Sequence, residues 1–411
     1  MPAALRSPLL RRFVILFAVT YAAFGVASPF LPAFLASRGL DAQQIGVALA
    51  ASTGIRLVSG PLASRLADRL AALRAVLAVA MVGAALLALC YLPVAGFLML
   101  AAIAVLHAAA LAPITTLADA LALRAAVAPG AEAAQEPPSR AAPERRSGAG
   151  SGPDGFEYGW VRGSGSAAFI LGSVVSGQAI AALGLAVIVA LQSMLLMVAA
   201  GCAMLVPALA PGPGGDKARS AGSEQLGALL RLPAFRRLVL VAALVLGSHA
   251  MHDGFAVIRW SAAGIGPGTI SVLWAESVAA EVVVFFVVGP AVVDRLGPAG
   301  AMALAAAAGA LRWGAMAETA DVTALALIQP LHGLTFALLH LACMRVLGRI
   351  VPRGLAATAQ ALYGTFVVGG ATALLTLASG FAYARFGADG FWLMAVLSAM
   401  AVPLTLGLRG R

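Results

Sequence analysis

The residues able to do chemistry are few, and they lie inside long apolar stretches. Glu281, Arg312 and His332 stand at similar depths in three consecutive apolar runs. A charge near the centre of a bilayer costs several kcal/mol on most scales, so such residues face a cavity or a partner. A Glu, an Arg and a His on neighbouring helices form a proton-sensitive set, because desolvation and a nearby cation pull a carboxyl in opposite directions. The bland reading is a static ion pair that pins helices together. Gln329, His332, Phe336 and His340 follow at spacings of three, four and four, which puts them near one helical face. A neutral His there could equally bond across helices. His249, His252 and Asp253 share a face one run earlier, with too few ligands for a metal site. Asp119 and Arg162 fall where two other runs end and begin, and Arg56 sits mid-run.

The elements that must position these residues follow from composition. The 411 residues are 61% hydrophobic and 11% charged, against about 45–50% and 25% for a soluble domain. A soluble globule is excluded. Long continuous apolar runs also exclude an outer-membrane barrel. Twelve spans are expected, near 12–36, 43–64, 73–93, 96–122, 164–183, 185–208, 236–259, 268–291, 298–317, 322–346, 355–384 and 389–408. Each reaches the roughly 20 residues one crossing needs. The net charge is +10, and all but one of the 27 basic residues are arginine, Lys217 being the exception. Most lie in the short loops on one face, which sets both termini in the cytoplasm and makes nucleic acid an unnecessary explanation for the charge. Residues 128–157, rich in Pro, Ala, Gly and charge, read as a disordered cytoplasmic insert. Residues 210–235 read as a cytoplasmic linker between six-helix halves at 1–209 and 236–411. The halves repeat at an offset of 225: Arg11-Arg12 returns as Arg236-Arg237, and Arg56 is the mate of Glu281. Cys90, Cys202 and Cys343 form no CxxC or Cys/His cluster, so no disulfide, metal or cofactor is expected. No phosphate-binding loop, nucleophile elbow or HExxH occurs, and an enzyme is not expected.

Asp68-Arg69 and Asp294-Arg295 follow spans two and eight, each preceded by Gly-Pro (Gly60-Pro61, Gly289-Pro290). Each Asp-Arg turn resembles the conformational loop motif of the major facilitator superfamily. The runs Leu311-Arg312-Trp313-Gly314, Gln329 to Phe336, and His340-Leu341-Ala342 resemble the 3-phenylpropionate:proton symporter group of that superfamily. So do Ala118-Asp119-Ala120, Tyr158-Gly159 with Arg162, Val278 to Val282, and Gln360 with Tyr363. The group is similar to lactose permease and the nucleoside:proton symporters. The resemblance implies an all-α, twelve-helix transporter. It implies Glu281, Arg312 and His332 for proton coupling, and Asp119 and Arg162 for substrate. One departure is Ser164, where the family places an aromatic residue before Gly165.

The expectation is therefore proton-coupled uptake of a small aromatic carboxylate across a bacterial inner membrane, by a monomer embedded in lipid. Arg56, Asp119, Arg162, His249, Gln329, His340, Gln360 and Tyr363 are the expected substrate-binding residues. Trp274, Trp313, Phe336 and Tyr363 are the expected aromatic lining. The rival readings are a nucleoside or sugar symporter, a drug efflux antiporter, and a membrane receptor that binds without moving solute.

Overall fold

The computed structural model describes residues 7–126, 156–207, 223–352 and 355–408, all helix, turn or loop. The helices before residue 208 are α1 (Pro8–Ala27), α2 (Leu31–Ser37), α3 (Ala42–Arg69), α4 (Leu73–Leu89), α5 (Phe97–Ala126), α6 (Tyr158–Leu183) and α7 (Val187–Leu205). After it come α8 (Ser223–Arg231), α9 (Pro233–Gly247), α10 (His249–Ala262), α11 (Pro267–Val283) and α12 (Gly289–Glu318). They are followed by α13 (Val322–Ile328), α14 (Leu331–Gly333), α15 (Leu339–Ile350), α16 (Ala356–Leu362), α17 (Thr372–Phe386) and α18 (Gly390–Leu406).

Local sequence explains where these helices start and turn. The Asp41 side chain accepts from the Gln44 backbone N–H while Gln44 returns a bond to Asp41 N, a reciprocal cap that opens α3. Asp321 caps α13 in the same way through Ala324 N. Nine helical runs among the described residues are long and apolar enough to cross a membrane. Two of them, Pro267–Glu318 with 52 residues and Thr358–Leu406 with 49, are over twice the length of one crossing. Each turns at a glycine with left-handed backbone, Gly297 (φ 69°) and Gly387 (φ 56°), which side chains other than glycine rarely tolerate. Leu73–Leu89 is a shorter apolar helix.

Three details differ from the sequence expectation. Span five begins at Tyr158 rather than 164, and the linker carries the short helix α8. The 128–157 insert lies outside the described residues except at its end, where Phe156 is buried against Phe13, ring centroids 5.6 Å apart. That contact departs from the disorder expected for Phe156, because burying an aromatic ring fixes the chain that carries it.

Packing divides by depth. At the end that carries the termini, two separate apolar cores form. One joins Leu10, Phe13, Leu77, Leu121 and Ala203 among the N-terminal helices. The other joins Phe235, Leu238, Met302, Leu339 and Leu347 among the C-terminal ones. At the far end a single core joins both sets: Phe30, Phe34 and Ile188 with Phe255, Trp260, Trp313 and Phe391. The two groups of helices are thus sealed together at the far end and separately packed at the terminal end. Small residues make the seal. A Cβ at Gly46 of α3 would lie 2.6 Å from the Gly380 Cα of α17, so the two backbones touch directly.

Arginines in the two sets of helices do matching jobs, and Arg12 and Arg237 stand at the repeat offset of 225. Arg12 Nη1 donates to Leu205 O at 3.2 Å, and Arg237 Nη1 to Gly407 O at 3.1 Å. At the other end Arg38 Nη2 donates to Leu92 O, and Arg259 Nη2 to Ala317 O. Each satisfies carbonyls that a helix end or loop leaves open.

Candidate functional site

Arg312, in the second half of α12, is fully buried and sits at the centre of the site. Its Nη1 lies 3.0 Å from His332 Nδ1, and its Nη2 donates to Gln329 Oε1 at 2.9 Å and faces His252 Nε2 at 3.4 Å. The guanidinium also lies over the Trp313 ring, 4.5 Å from its centroid. A guanidinium has donors only, so the imidazole nitrogens that face it must accept. His332 then carries its proton on Nε2, which points at Glu281 Oε2, 3.4 Å away. His252 carries its proton on Nδ1, which points at Asp253 Oδ1, 3.2 Å away. One buried cation therefore holds two imidazoles, each ending on a carboxylate: Glu281 on α11 and Asp253 on α10.

His249 supports this set from α10. Its Nε2 lies 2.9 Å from Thr335 Oγ1, and its ring meets those of His332 and Trp313 edge-on at 5.3 and 5.1 Å. Span seven breaks at Ser248, whose hydroxyl accepts from Trp313 Nε1 at 2.7 Å. The backbone around the site is irregular in a consistent way. Wide π-helical turns occur at Val284–Val288, Leu334–Leu338 and Tyr363–Ala371, a feature that often marks functional positions.

Two adjoining cavities border these residues. One, of about 440 Å³, is lined by Glu281, His332, His249, His340, Trp274 and Phe336, among others. The second, of about 540 Å³, is lined by Arg56, Tyr91, His107 and Gln192 from the N-terminal helices. Both share Ser28, Asp253 and Thr372.

The expected site residues divide accordingly. Glu281, Arg312, His332 and Gln329 come together, with His249 beside them. Arg312 lines neither cavity; it positions its neighbours from behind. His340 lines the Glu281 cavity but stacks on Phe285 at 6.0 Å, with no ion pair to Glu281 among the described residues. Asp119 and Arg162 do pair, at 3.5 Å, and Tyr158 donates to Asp119 at 2.6 Å. Arg162 also hydrogen-bonds Tyr21 and lies over its ring. Asp119, Tyr158 and Arg162 line neither of the two cavities just described.

Two expected residues stand away from these cavities. Gln360 is exposed and lines neither cavity, and Tyr363 is buried in the C-terminal apolar core. Tyr363 is the first residue of a π-helical turn and packs in that core. Trp313 is likewise buried, so Trp274 and Phe336 remain of the expected aromatic lining. Of the loop motifs, Asp68 pairs with Arg124 at 3.7 Å and Asp294 with Arg345 at 3.1 Å, while Arg69 and Arg295 are exposed. His252, Thr335 and Tyr21 were absent from the expected set. Spacing from His249 flags His252; nothing in the sequence marks Thr335 or Tyr21.

Comparison with known proteins agrees with this architecture. The chain is 32% identical over 253 residues to the probable 3-phenylpropionic acid transporter of Escherichia coli (strain K12). That match spans 61% of this chain and 65% of the relative. The crystal structure of the nucleoside transporter NupG covers 98% of both chains with a TM-score of 0.77 at 15% identity. A bacterial homolog of the human lysosomal transporter Spinster, solved inward-facing and occupied, reaches 0.68 at 14%, covering 98% of this chain and 96% of that one. The last two show a shared fold. With the family model matched over residues 10–394, the chain belongs to the MFS_1 like family and is a multi-pass membrane protein of the major facilitator type.

Proposed function

We propose that this transporter takes up a small aromatic monocarboxylate together with protons, by rocking two six-helix halves about a central site. The halves are residues 1–209 and 236–411, joined by the linker 210–235. The two over-long helical runs count as two crossings each, and Leu73–Leu89 counts as one more, which makes twelve. The arginine-rich terminal face lies in the cytoplasm and the membrane is the bacterial inner membrane. The observation that carries the reading is Glu281: it faces the cavity on one side and the His332–Arg312 pair on the other.

The chemistry follows from that position. Ionised Glu281 accepts from His332 Nε2–H and feels the Arg312 charge behind the ring, which ties α11 to span ten. A proton arriving through the cavity neutralises the carboxylate and weakens that tie, so protonation and helix position are linked. Release of the proton on the opposite side restores it. The related E. coli protein, named as a probable 3-phenylpropionic acid transporter, supports the substrate class. The two cavities supply what such a solute needs, a cation in one (Arg56) and aromatic rings in the other (Trp274, Phe336).

The test is uptake of labelled 3-phenylpropionate into proteoliposomes under an inward proton gradient, with wild type beside Glu281→Gln. The expected result is protonophore-sensitive accumulation by wild type, and exchange without accumulation by the variant. Absence of flux from folded wild-type protein overturns the substrate; accumulation by the variant overturns the coupling role.

A further inference from the structure

We infer that the cavity among the N-terminal helices is the receptor for the solute's carboxylate, with Tyr91 and His107 joining Arg56 as its binding groups. The inference rests on the transport reading above and adds the residues that recognise the head group.

Arg56 is the middle residue of the 28-residue α3, roughly 20 Å along the helix from either end at 1.5 Å per residue. That is too deep for its side chain to reach a membrane surface, where an arginine otherwise prefers to be. It is exposed only in the sense that it faces the cavity, and no carboxylate lies within ion-pair distance among the described residues. Arg312 is the opposite case, buried and fully engaged. Of the two deep arginines, Arg56 is the one with donors to spare.

The groups around Arg56 are equally unspent. Tyr91 and His107 are 1% and 2% exposed, and both line the same cavity. Neither Tyr91 Oη nor His107 Nε2 has a hydrogen-bond partner among the described residues. Their rings meet edge-on at 5.7 Å, with Tyr91 braced by Phe34 at 6.0 Å, so the two polar atoms are held rather than swinging. Leaving a buried polar group unpaired costs about 1–3 kcal/mol. Two such atoms beside an unpaired guanidinium describe a site short of an acceptor. A carboxylate fits the shortage: its two oxygens offer about four lone-pair directions, enough for the guanidinium fork, a tyrosyl O–H and an imidazole N–H.

Asp253 sets the number of charges. It stands where the two cavities meet. An anion bound at Arg56 keeps its apolar tail toward Trp274 and Phe336, past Asp253. A second carboxylate on that tail would meet Asp253 at close range, and like charges in a low-dielectric cavity repel strongly. The cavity therefore selects monocarboxylates with apolar tails over their amides, alcohols and dicarboxylates.

The experiment is thermal-shift titration and calorimetry on the purified full chain in detergent. The probes are 3-phenylpropionate, hexanoate, 3-phenylpropanamide and phenylsuccinate, against wild type, Tyr91→Phe and Arg56→Gln. Tyr91→Phe keeps the ring and its packing and removes only the hydroxyl. A hydrogen bond to a charged group is worth enough that its Kd for 3-phenylpropionate is expected to rise about 10-fold or more. Arg56→Gln is expected to bind the acid and its amide alike. If wild type binds 3-phenylpropionate and the folded variants bind it equally well, the receptor assignment is overturned and the transport reading stands. If wild type binds hexanoate but not 3-phenylpropionate, and loses hexanoate in the variants, the receptor stands and the aromatic reading falls. Binding of no carboxylate by folded wild type overturns both.

Discussion

Arg312 shows how much of the site a single residue organises. Its three side-chain partners come from three elements: His252 from α10, Gln329 from the end of α13 and His332 from α14. A lysine keeps the charge but offers one compact ammonium in place of a fork. Arg312→Lys is therefore expected to lower stability by on the order of 2 kcal/mol, read by chemical unfolding in micelles. It is expected to abolish proton-driven accumulation while changing solute Kd much less, because Arg312 does not touch the cavity. The Asp119 cluster behaves differently. It is partly exposed, so Tyr158→Phe, which removes the 2.6 Å bond to Asp119, is expected to cost only about 1 kcal/mol in the same measurement. At this scale the sequence was most informative where a bilayer makes charge costly: Glu281, Arg312, His332, Asp119 and Arg162 all found partners. It was silent on direction. Nothing in the chain order tells whether Arg312 faces the cavity or lies behind it, because that depends on the rotation of α12 against its neighbours.

At the level of elements, π-helical turns interrupt the regular spacing. Regular spacing places Gln329, His332, Phe336 and His340 on one face. The turn at Leu334–Leu338 adds a residue to the helical register, which rotates everything after it by about 100°. Gln329 and His332 stay with Arg312, while His340 lines the Glu281 cavity and stacks on Phe285. Tyr363 stands at the start of another wide turn and packs in the C-terminal core. Such turns carry no residue signature, so a reading built on regular periodicity passes over them. The close packing that holds the Glu281–His332 contact also depends on one position. A Cβ at Gly333 would lie 2.6 Å from Ala280 O and 2.7 Å from Val284 Cγ2. Gly333→Ala must therefore push α11 away from span ten. It is expected to cost about 1–3 kcal/mol and to cut accumulation while leaving exchange. Unfolding and uptake measured side by side check both halves of that statement.

For the whole molecule, the hydropathy of the chain gave the class of fold and the order of its helices, and the 225-residue offset reappears as the matched contacts of Arg12 with Leu205 and Arg237 with Gly407. Which end is sealed was beyond sequence, since hydropathy and spacing do not say how the two sets of helices lean on each other. Here the seal is at the far end, where α3 and α17 touch through Gly46 and Gly380. A bulky side chain cannot fit between two backbones in contact, so Gly46→Leu is expected to open that end. Spin labels at Asp41→Cys and Ala263→Cys in a cysteine-free background are expected to move apart by several Å relative to the unsubstituted background; an unchanged distance refutes the seal. The far-end core has one more consequence. It holds three of the five tryptophans, Trp260, Trp274 and Trp313, whereas Trp160 and Trp392 are already exposed. Opening the seal would wet three indoles at once and shift their emission to the red. The protein thus contains its own optical reporter of which way it faces, readable in an unlabelled sample while solute and pH are changed.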